Sequence, residues 1–301
     1  MIAAGIDLGG TKIEAQVFDA DWQCTARRRI ATPADYPALV AAMADQIAWI
    51  ATHGSSIPVG ISAAGLVNPA TGLALTANLA ATGRPFPADI AKAAGRPVTY
   101  INDCRALTLS EAVFGAAKGQ SPAVGLILGT GIGGGVAIGD RLVAGPTNTG
   151  GEFGHFALAA APVLAHGLPI LRCGCGRIGC TETLIAGPGL TRIAHHLTGQ
   201  SLPPQDIAAR RDEPDIARVF DVWTELLAEL LKTLTLVIDP ACIVLGGGLS
   251  RIAGLIPALD AALTASQLPG FTIPRLLLAE GGDASGARGA AYAATQEAAH
   301  V

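Results

Sequence analysis

The chain has 301 residues, of which 50% are hydrophobic and 15% are charged, so it has material for two buried cores and too little charge for extensive disorder. A formal net charge of −4 provides no field that would attract nucleic acid or an anionic membrane. No apolar run reaches the roughly 18 residues that a membrane span needs, and no signal-peptide pattern opens the chain. These features predict a cytoplasmic protein whose partner is a small molecule and neither nucleic acid nor a membrane.

The first part of the chain alternates apolar runs with turns and helical patterns. Strands are predicted at residues 2–8, 13–18, 58–62 and 97–101, and helices from Pro33 to His53 and from about Ala106 to Gly119. A glycine turn at residues 9–11 joins the first two strands. The fourth strand ends at Asn102 and Asp103, so it brings two polar side chains to an edge of the predicted sheet.

The same order of elements begins again near Ala123. A strand at 124–128, a glycine turn at 129–135 and a strand at 136–138 repeat the opening of the chain, and this repeat of about 120 residues predicts two similar lobes. Further predicted elements are a core helix from Pro214, a buried strand at 242–245, a helix from Ser250 and an alanine-rich helix at 285–299.

Glycine-rich turns follow apolar strands at residues 9–11, 129–135 and 246–248. Glycine lets backbone N–H groups approach phosphate oxygens, although one such turn alone is more typical of a simple hairpin. Residues 129–135 do not fit a dinucleotide-binding motif because a strand, not a helix, is predicted to follow, and the sequence contains no P-loop pattern. Two glycine turns in repeated lobes predict instead a nucleotide held between the lobes.

Three of the six cysteines, Cys173, Cys175 and Cys180, fall within eight residues. In a reducing compartment such a cluster favours a metal site over a disulfide. With His155 the three thiols form a Cys3His set of the structural zinc type. The Cys-x-Cys-x4-Cys spacing is less common than paired Cys-x2-Cys motifs, so spacing alone leaves the presence of a metal open.

Several motifs occur in an order that resembles one family. They are Asp7-Leu-Gly-Gly-Thr-Lys12, Asn102-Asp103, Leu128-Gly-Thr-Gly-Ile-Gly-Gly-Gly135, Gly151-Glu-Phe-Gly-His155 and Cys173-Gly-Cys-Gly-Arg-Ile-Gly-Cys-Thr-Glu182, followed by glycine-containing segments at 246–248 and 282–289. Together they are similar to the ROK family of sugar kinases and repressors, within the actin-like ATPase superfamily.

The resemblance implies an α/β fold with two similar actin- and hexokinase-like lobes of the ribonuclease H-like type. Each lobe would have a mixed sheet with flanking helices, and a nucleotide and sugar cleft would lie between the lobes. The N-terminal lobe is expected at residues 1–118, with the C-terminal helix at about 286–299 packing back on it. The C-terminal lobe is expected at 119–285, with a zinc-binding loop at 155–180. A homodimer is also expected.

The resemblance further implies ATP-dependent phosphorylation of a hexose or N-acetylhexosamine at its 6-hydroxyl. Asp103 would be the general base that takes the proton from this hydroxyl. Small residues after Asn78 would leave room for a 2-acetamido group, which favours N-acetyl-D-glucosamine, with glucose or fructose as the alternative. The residues expected to bind the sugar are Asn78, Asn102, Asp103, Glu152, His155 and Glu182.

The expected cofactors are ATP, Mg²⁺ and a structural Zn²⁺. Asp7 would lie near the magnesium ion, and the residues expected to face ATP are Gly9, Gly10, Thr11, Lys12, Thr130, Gly131, Gly133, Gly134, Gly135, Gly247 and Gly248. The last two would border the adenosine pocket. The expected zinc ligands are His155, Cys173, Cys175 and Cys180, whose loop would fix two sugar-binding carboxylates, Glu152 and Glu182.

Other interpretations remain open at this point. Asp103 would have a purely structural role if it capped the helix that follows. A ROK repressor would carry a DNA-binding domain ahead of the first motif, which here begins at Asp7 in an acidic chain, so regulation is not expected. A sugar-binding module without catalysis is a further alternative. Arg105 stands where the family often has asparagine, and the sequence leaves its contacts open.

Overall fold

The structure is a computed structural model that describes residues 1–282 and 285–299. The chain forms two compact units: the first comprises residues 1–118, 136–150 and the C-terminal segment from Glu280, and the second comprises 119–135 and 151–279. This division differs from the predicted lobes in residues 136–150 and 280–282, which belong to the first unit. Asp283 and Ala284, within the predicted C-terminal lobe and the 282–289 motif, lie outside the described residues.

Among its described residues, the first unit has a five-stranded sheet and four helices. Its strands are β1 (Ala3–Leu8), β2 (Lys12–Phe18), β3 (Cys24–Ala31), β4 (Val59–Ala63) and β7 (Thr99–Asn102), in the order β3-β2-β1-β4-β7, with a separate hairpin of β5 (Leu66–Val67) and β6 (Ala74–Leu75). Its helices are α1 (Tyr36–Ala51), α2 (Phe86–Ala94), α3 (Asp103–Phe114) and α10 (Ser285–Ala298). Apolar side chains of the sheet and of α1 and α2 form its main core.

The register of this sheet brings the ends of three strands together. β1, β4 and β7 are parallel, and Asp7 on β1 is paired with Ser62 on β4, which is paired with Ile101 on β7. Asp103 follows two residues after Ile101. Because parallel strands end at the same edge of a sheet, Asp7 and Asp103 lie at one edge of the first unit.

A second five-stranded sheet has the same pattern. Its strands are β8 (Ala123–Leu128), β9 (Ile132–Ile138), β10 (Arg141–Leu142), β11 (Cys242–Gly246) and β12 (Arg275–Leu278), in the order β10-β9-β8-β11-β12. As in the first sheet, the later strands are parallel, with β8 beside β11 and β11 beside β12. The predicted α/β class with a repeated sheet is confirmed.

The helices of the second unit are α4 (Ala160–Ala165), α5 (Glu182–Ile185), α6 (Gly187–Thr198), α7 (Pro204–Ala209), α8 (Pro214–Ile238) and α9 (Leu255–Ser266), with short 3₁₀ turns at Phe153–His155 and Gly248–Arg251. The core helix predicted from Pro214 is confirmed as α8, whose buried Trp223 donates its indole N–H to the carbonyl of Ile185 at 2.8 Å. In the described part of the chain, no helix combines the length and the apolar run needed to cross a bilayer.

Several predicted boundaries are wrong. Helix α3 begins at Asp103, not Ala106, because the Asn102 side chain accepts the backbone N–H groups of Cys104 and Arg105 at 2.9 and 3.3 Å. It ends at Phe114 instead of Gly119, and the helix predicted from Ser250 begins at Leu255. In the first unit, β3, α2 and the short hairpin of β5 and β6 were not predicted, and in the second unit neither were β12 and α4 to α7. β3 lies at the sheet edge and alternates exposed and half-buried residues, so it lacks the apolar run used to recognise the other strands.

The second glycine turn is shorter than predicted. Strand β9 begins at Ile132, so Gly133, Gly134 and Gly135 lie in a strand instead of the turn. A Cβ atom on Gly134 would lie 2.2 Å from the carbonyl oxygen of Gly125 and 2.7 Å from the ring of Phe153. At Gly134, glycine is therefore required for close packing in the second unit.

Helix α10 packs on the first sheet with almost no side-chain layer between them. A Cβ atom on Gly60 would lie 1.8 Å from the carbonyl oxygen of Ala290, and one on Gly289 would lie 1.9 Å from that of Ala106. Both contacts are with backbone, which cannot rotate away as a side chain can. The position of this C-terminal helix therefore depends on glycine at both sites.

We expect Gly60→Ala to destabilise the protein by about 1–3 kcal/mol or more, because the added methyl group must push α10 away from β4. Urea unfolding followed by circular dichroism measures the loss. Gly150→Ala is the matched control: its Cβ would lie 3.6 Å from the nearest atom, and we expect a change within about 0.5 kcal/mol. Equal stability of the two variants would contradict the close approach of α10.

Candidate active site

Two carboxylates lie at the carboxyl edge of the first sheet. Oδ1 of Asp7 accepts the hydroxyl of Ser62 at 3.2 Å. Burial, with a smaller contribution from the negative charge of Asp103, raises the pKa of Asp7 to about 6. Two partly buried carboxylates that repel one another are an arrangement that a cation stabilises, and hard oxygen ligands of this kind suit Mg²⁺. The predicted magnesium site near Asp7 thus fits the residues present.

Asp103 is the first residue of α3, and the structure shows whether it is needed to cap this helix. The N-cap position belongs to Asn102, whose Oδ1 accepts two backbone N–H groups of the first turn. The Oδ1 of Asp103 accepts the N–H of Cys104 at 2.9 Å. Burial raises the pKa of the Asp103 carboxyl, which makes its ionised form a stronger base. Capping by Asp103 is thus not needed to begin α3.

The side chain of Asn102 is used largely within the protein. Besides capping α3, its Nδ2 donates to the carbonyl of Gly65 at 3.0 Å. This leaves one amide N–H for the sugar contact that was predicted for Asn102. The amide therefore links the start of α3 to the segment that contains Gly65.

The glycine turn of the first unit lies beside the predicted sugar-binding Asn78. The N–H of Gly9 donates to the carbonyl of Lys12 at 2.9 Å, which closes a tight turn between β1 and β2. A Cβ atom on Gly10 would lie 3.2 Å from the Cβ of Asn78. In the first unit, Asn78 is therefore a neighbour of the turn that consists of Gly9, Gly10, Thr11 and Lys12.

His155 lies between two carboxylates of the second unit. Its Nε2 is 3.8 Å from Oε2 of Glu152, and its Nδ1 is 3.6 Å from Oε1 of Glu182. A histidine can use one ring nitrogen for a metal and the other for a carboxylate, and such a carboxylate fixes the orientation of the ring. Nδ1 also lies 3.7 Å from the Sγ of Cys173, so a metal would take this nitrogen, and Nε2, beside Glu152, is the one left for the sugar contact that stays predicted for His155.

Four predicted ligands come together in the second unit. The ligand atoms of His155, Cys173, Cys175 and Cys180 all lie within 4.8 Å of one another. The Sγ of Cys175 is 3.6 Å from that of Cys180, and the Sγ of Cys173 is 3.7 Å from Nδ1 of His155. Zinc bonds of about 2.3 Å to sulfur and about 2.0 Å to nitrogen put tetrahedral donors about 3.5–3.8 Å apart. The donor set therefore fits Zn²⁺.

The thiol cluster is directly connected to Glu182. Cys173 donates its thiol to Oε1 of Glu182 at 2.9 Å. Burial, together with this carboxylate, raises the pKa of the Cys173 thiol to about 12, so a cation that binds here must displace a thiol proton. The other oxygen, Oε2, accepts the N–H of Ile132 at 3.5 Å. While Cys173 keeps its proton, Glu182 is therefore oriented by the cysteine loop on one side and by β9 on the other.

A cavity of about 910 Å³ lies in the second unit. Thr130 and Gly248, both predicted to contact ATP, line it. Gly247 does not line the cavity: its φ is +82°, and a Cβ there would lie 2.4 Å from the carbonyl oxygen of Leu128, so it serves the close passage of the chain. Lining residues that the sequence did not indicate come from α6, α7 and the segment after Gly248: Pro188, Thr191, Gln205, Ala208, Arg251 and Ile252.

One of the glycines after Gly131 does not offer its N–H to phosphate as was predicted. The N–H of Gly134 donates to the carbonyl of Gly151 at 2.8 Å and is therefore not offered to an anion. Gly133 and Gly135 are its neighbours in strand β9. The turn itself is closed by the N–H of Gly129, which donates to the carbonyl of Gly131 at 3.1 Å. The N–H of Gly134 therefore does not serve the predicted phosphate contact, while the contacts of Thr130, Gly131, Gly133 and Gly135 stay predictions.

The buried charge of Asp7 gives a testable effect on stability. Folding raises its pKa from 3.8 to about 6. Below about pH 4, Asp7 is neutral in both the folded and the unfolded state and costs no stability. As the pH rises from there through 6, the unfolded state ionises more readily, so the free energy of unfolding falls. We expect Asp7→Asn to be more stable than the parent protein by about 1–3 kcal/mol at pH 8 without Mg²⁺, and equally stable at pH 4. Urea unfolding at both pH values measures this.

Asp21→Asn is the control for this substitution because Asp21 is exposed in the first unit. We expect it to change the free energy of unfolding by less than about 0.5 kcal/mol at either pH. An Asp7→Asn protein that is less stable than the parent protein at pH 8 would mean that the Asp7 carboxylate is not destabilised by its surroundings.

Comparison with known proteins agrees with the sequence motifs. The model of the ROK family matches residues 3–297 of the chain. The chain belongs to the ROK family. Among ROK proteins, it is 40% identical over 292 residues to the N-acetylgalactosamine kinase of Shewanella sp. (strain ANA-3), which covers 95% of this chain and 94% of the relative. It is 38% identical over 297 residues to the N-acetyl-D-glucosamine kinase of Pectobacterium atrosepticum, covering 95% and 97% of the two chains.

A solved structure of a ROK protein has the same fold. The ROK hexokinase of Thermus thermophilus superposes with a TM-score of 0.88 at 30% identity, and the match covers 100% of both chains. The resemblance stated from the motifs, including the actin-like type of the two sheets, is therefore confirmed for this ROK chain.

Proposed function

We propose that the protein transfers the γ-phosphate of ATP to the 6-hydroxyl of an N-acetylhexosamine, with N-acetyl-D-glucosamine as the first candidate. The observation that carries this proposal is the pair of carboxylates, Asp7 and Asp103, at the sheet edge of a ROK chain that is about 40% identical to hexosamine kinases. Phosphoryl transfer needs alignment of the reactants and neutralisation of charge far more than covalent chemistry. The two carboxylates supply a base and a cation site.

In the proposed reaction Asp103 accepts the proton of the sugar 6-hydroxyl as that oxygen attacks the γ-phosphorus. Its raised pKa suits this role, since a stronger base shares the proton more fully in the transition state. The remaining hydroxyls of the sugar are bound by Asn78, Asn102, Glu152, His155 and Glu182, which offer carboxylate, amide and imidazole groups in fixed directions.

The nucleotide binds along the glycine turns. The residues proposed to contact the phosphates are Gly9, Gly10, Thr11, Lys12, Thr130 and Gly131. The cavity beside Thr130 and Gly248 takes the adenosine, and its volume of about 910 Å³ is ample for a nucleoside. When bound near Asp7, Mg²⁺ would neutralise charge on the phosphates. Zn²⁺ would be held by His155 and the three thiols and would fix the loop that carries Glu182.

Two hexosamines are supported by different observations. The small residues after Asn78 favour a 2-acetamido sugar, and the relatives that act on N-acetylglucosamine are 38% identical to the chain. The relative named for N-acetylgalactosamine is 40% identical, which makes that epimer the second candidate. Glucose and fructose rank below both. A homodimer and a cytoplasmic location are part of the proposal, and the six free thiols are consistent with a reducing compartment.

The proposal is tested by a coupled ADP-release assay with ATP and Mg²⁺. The sugars are N-acetylglucosamine, N-acetylgalactosamine, N-acetylmannosamine, glucose, mannose and fructose. We expect the highest kcat/KM for one of the first two, since a pocket that fits an acetamido group gains contacts a hexose cannot make. A preference for glucose or fructose would overturn the assignment of the sugar while keeping the kinase. ADP release that no sugar accelerates would overturn the kinase itself.

A further inference from the structure

Arg105, on the first turn of α3, makes contacts that the sequence left open. Its Nε donates to the carbonyl of Gly150 at 3.1 Å, and its Nη2 donates to the same carbonyl at 2.7 Å and also to the carbonyl of Asn148. All of these residues belong to the first unit. One guanidinium group therefore donates hydrogen bonds to two backbone carbonyls of residues 148–150, a segment that is more than 40 residues away along the chain.

The burial of this side chain makes the contacts important. Arg105 is only 6% exposed, and a guanidinium remains charged at every accessible pH. A buried charge must be compensated by good hydrogen bonds, and charge-assisted bonds to carbonyls are stronger than neutral ones. The planar group donates from two nitrogens at once, which fixes the direction of the acceptors as well as their distance.

A second hydrogen bond, from Asn148 to Val67, also holds the segment of residues 148–150. Asn148 has a φ of +56°, a left-handed conformation, and its Nδ2 donates to the carbonyl of Val67 at 3.3 Å. Its backbone carbonyl accepts from Arg105. Glu152, a proposed sugar-binding residue, follows Gly150 by two residues. The conformation of residues 148–150 therefore affects the position at which the chain reaches Glu152.

Arg105 is joined to the catalytic turn as well. Its backbone N–H donates to Oδ1 of Asn102 at 3.3 Å, and Nδ2 of Asn102 donates to the carbonyl of Gly65. Asp103 lies between these two residues in sequence. The same short stretch of α3 thus carries the proposed base and, through Arg105, holds the segment that leads to Glu152.

We propose that Arg105 is a positioning residue for sugar binding, which holds residues 148–150 in register with the turn that carries Asp103. The inference rests on the proposed function. Without its guanidinium, the segment before Glu152 would lose its anchor on α3, while the proposed ATP-binding turns make no part of this contact. The expected defect is therefore selective for the sugar.

The test compares Arg105→Ala and Arg105→Lys with the parent protein in the ADP-release assay. We expect Arg105→Ala to raise the KM for the sugar by about 10- to 100-fold, because displacement of a binding group by about 1 Å has effects of this size, and to leave the KM for ATP within about twofold. Arg105→Lys should lie between, since an ammonium group cannot span two acceptors as a fork. Millimolar guanidinium chloride, but not sodium chloride, should partly restore the sugar KM of Arg105→Ala.

Arg96→Ala is the matched control. Arg96 also donates its guanidinium to two backbone carbonyls of the first unit, those of Ser55 and Ile57, away from the catalytic turn. We expect it to lose stability in urea unfolding while its sugar KM stays within about twofold. An Arg105→Ala protein with an unchanged sugar KM, or one whose defect is equal for sugar and ATP and is not relieved by guanidinium, would overturn the positioning role.

Sugar binding separates this proposal from the proposed function. If the parent protein phosphorylates no sugar but binds one in titration calorimetry, the kinase fails, and a 10- to 100-fold weaker binding by Arg105→Ala would still support positioning. Equal binding by the two proteins would overturn it. If the parent protein neither binds nor phosphorylates any sugar of the panel, both proposals are wrong.

Discussion

Asn in place of Asp103 is expected to lower kcat by about 10²–10⁴, which is the usual contribution of a general base. The substitution keeps an oxygen that can accept the N–H of Cys104, so the start of α3 should be unchanged. It also removes a buried carboxylate whose charge burial disfavours, so the variant should be at least as stable as the parent protein at pH 8. Steady-state kinetics and urea unfolding on the same samples measure both effects.

The pH dependence of the parent protein checks the same role. A base must be ionised to act, and the pKa of Asp103 is raised, so kcat/KM for the sugar should fall as the pH drops through that raised pKa. Asp89→Asn is the control, since Asp89 also lies in the first turn of a helix of the first unit. Its kcat should stay within about twofold. An Asp103→Asn protein with more than about a tenth of the parent kcat would mean that another group takes the proton.

Loss of the proposed zinc site at His155, Cys173, Cys175 and Cys180 is expected to reduce stability and sugar affinity together. Cys180→Ser removes one of four converging donors, and Cys180 is buried, so the loop between His155 and Glu182 would lose its cross-link. We expect a sugar KM at least about 10-fold higher, because Glu182 follows Cys180 by two residues and its position depends on the loop that the metal would hold, and a loss of several kcal/mol in stability. Metal analysis, kinetics and thermal unfolding measure the three changes.

Cys24→Ser is the matched control, because Cys24 is an exposed thiol of the first unit and lies outside the cluster. It should retain the metal content, the sugar KM and the melting temperature of the parent protein. Chelation of the parent protein should reproduce the effect of Cys180→Ser, and added Zn²⁺ should reverse it. Full sugar affinity in a sample from which metal analysis detects no zinc would refute the role of the cluster.

The sequence predicted best those features that depend on local pattern. The stripe of apolar residues after Pro214 fixed α8 because a helix with such a face must bury it. The four zinc-type ligands could be recognised by residue type, and the structure brings them together. The repeated strand–turn–strand opening predicted the two sheets, whose strand order is the same.

Features that depend on distant parts of the chain were missed or misplaced. Gly133 to Gly135 resembled a turn, but they lie in strand β9, and the close packing of Gly134 against Gly125 and Phe153 is visible only in three dimensions. The capping of α3 by Asn102 placed the helix start three residues earlier than its apolar pattern indicated. The hydrogen bonds of Arg105 to residues 148–150 connect two distant segments that share no sequence motif. They could therefore not be predicted from the sequence.

The assignment of the sugar-binding residues rests on a similar distinction. Glu152 and Glu182 were indicated by motifs, and the structure adds that His155 lies between their carboxylates. Asn102 was indicated for the sugar, and the structure adds that most of its hydrogen-bonding capacity is used inside the first unit. A motif thus gives the residue type that the chemistry needs, while packing decides how much of it is available.

Transfer of the terminal phosphate itself is the most direct measurement. The protein is incubated with γ-³²P-labelled ATP, Mg²⁺ and N-acetyl-D-glucosamine or N-acetyl-D-galactosamine, and the labelled product is isolated and its phosphate located by NMR on an unlabelled scale-up. Our account predicts that the label appears on the 6-oxygen of one of these sugars and that Asp103→Asn abolishes this. Label found only in inorganic phosphate, or only in ATP, would contradict it.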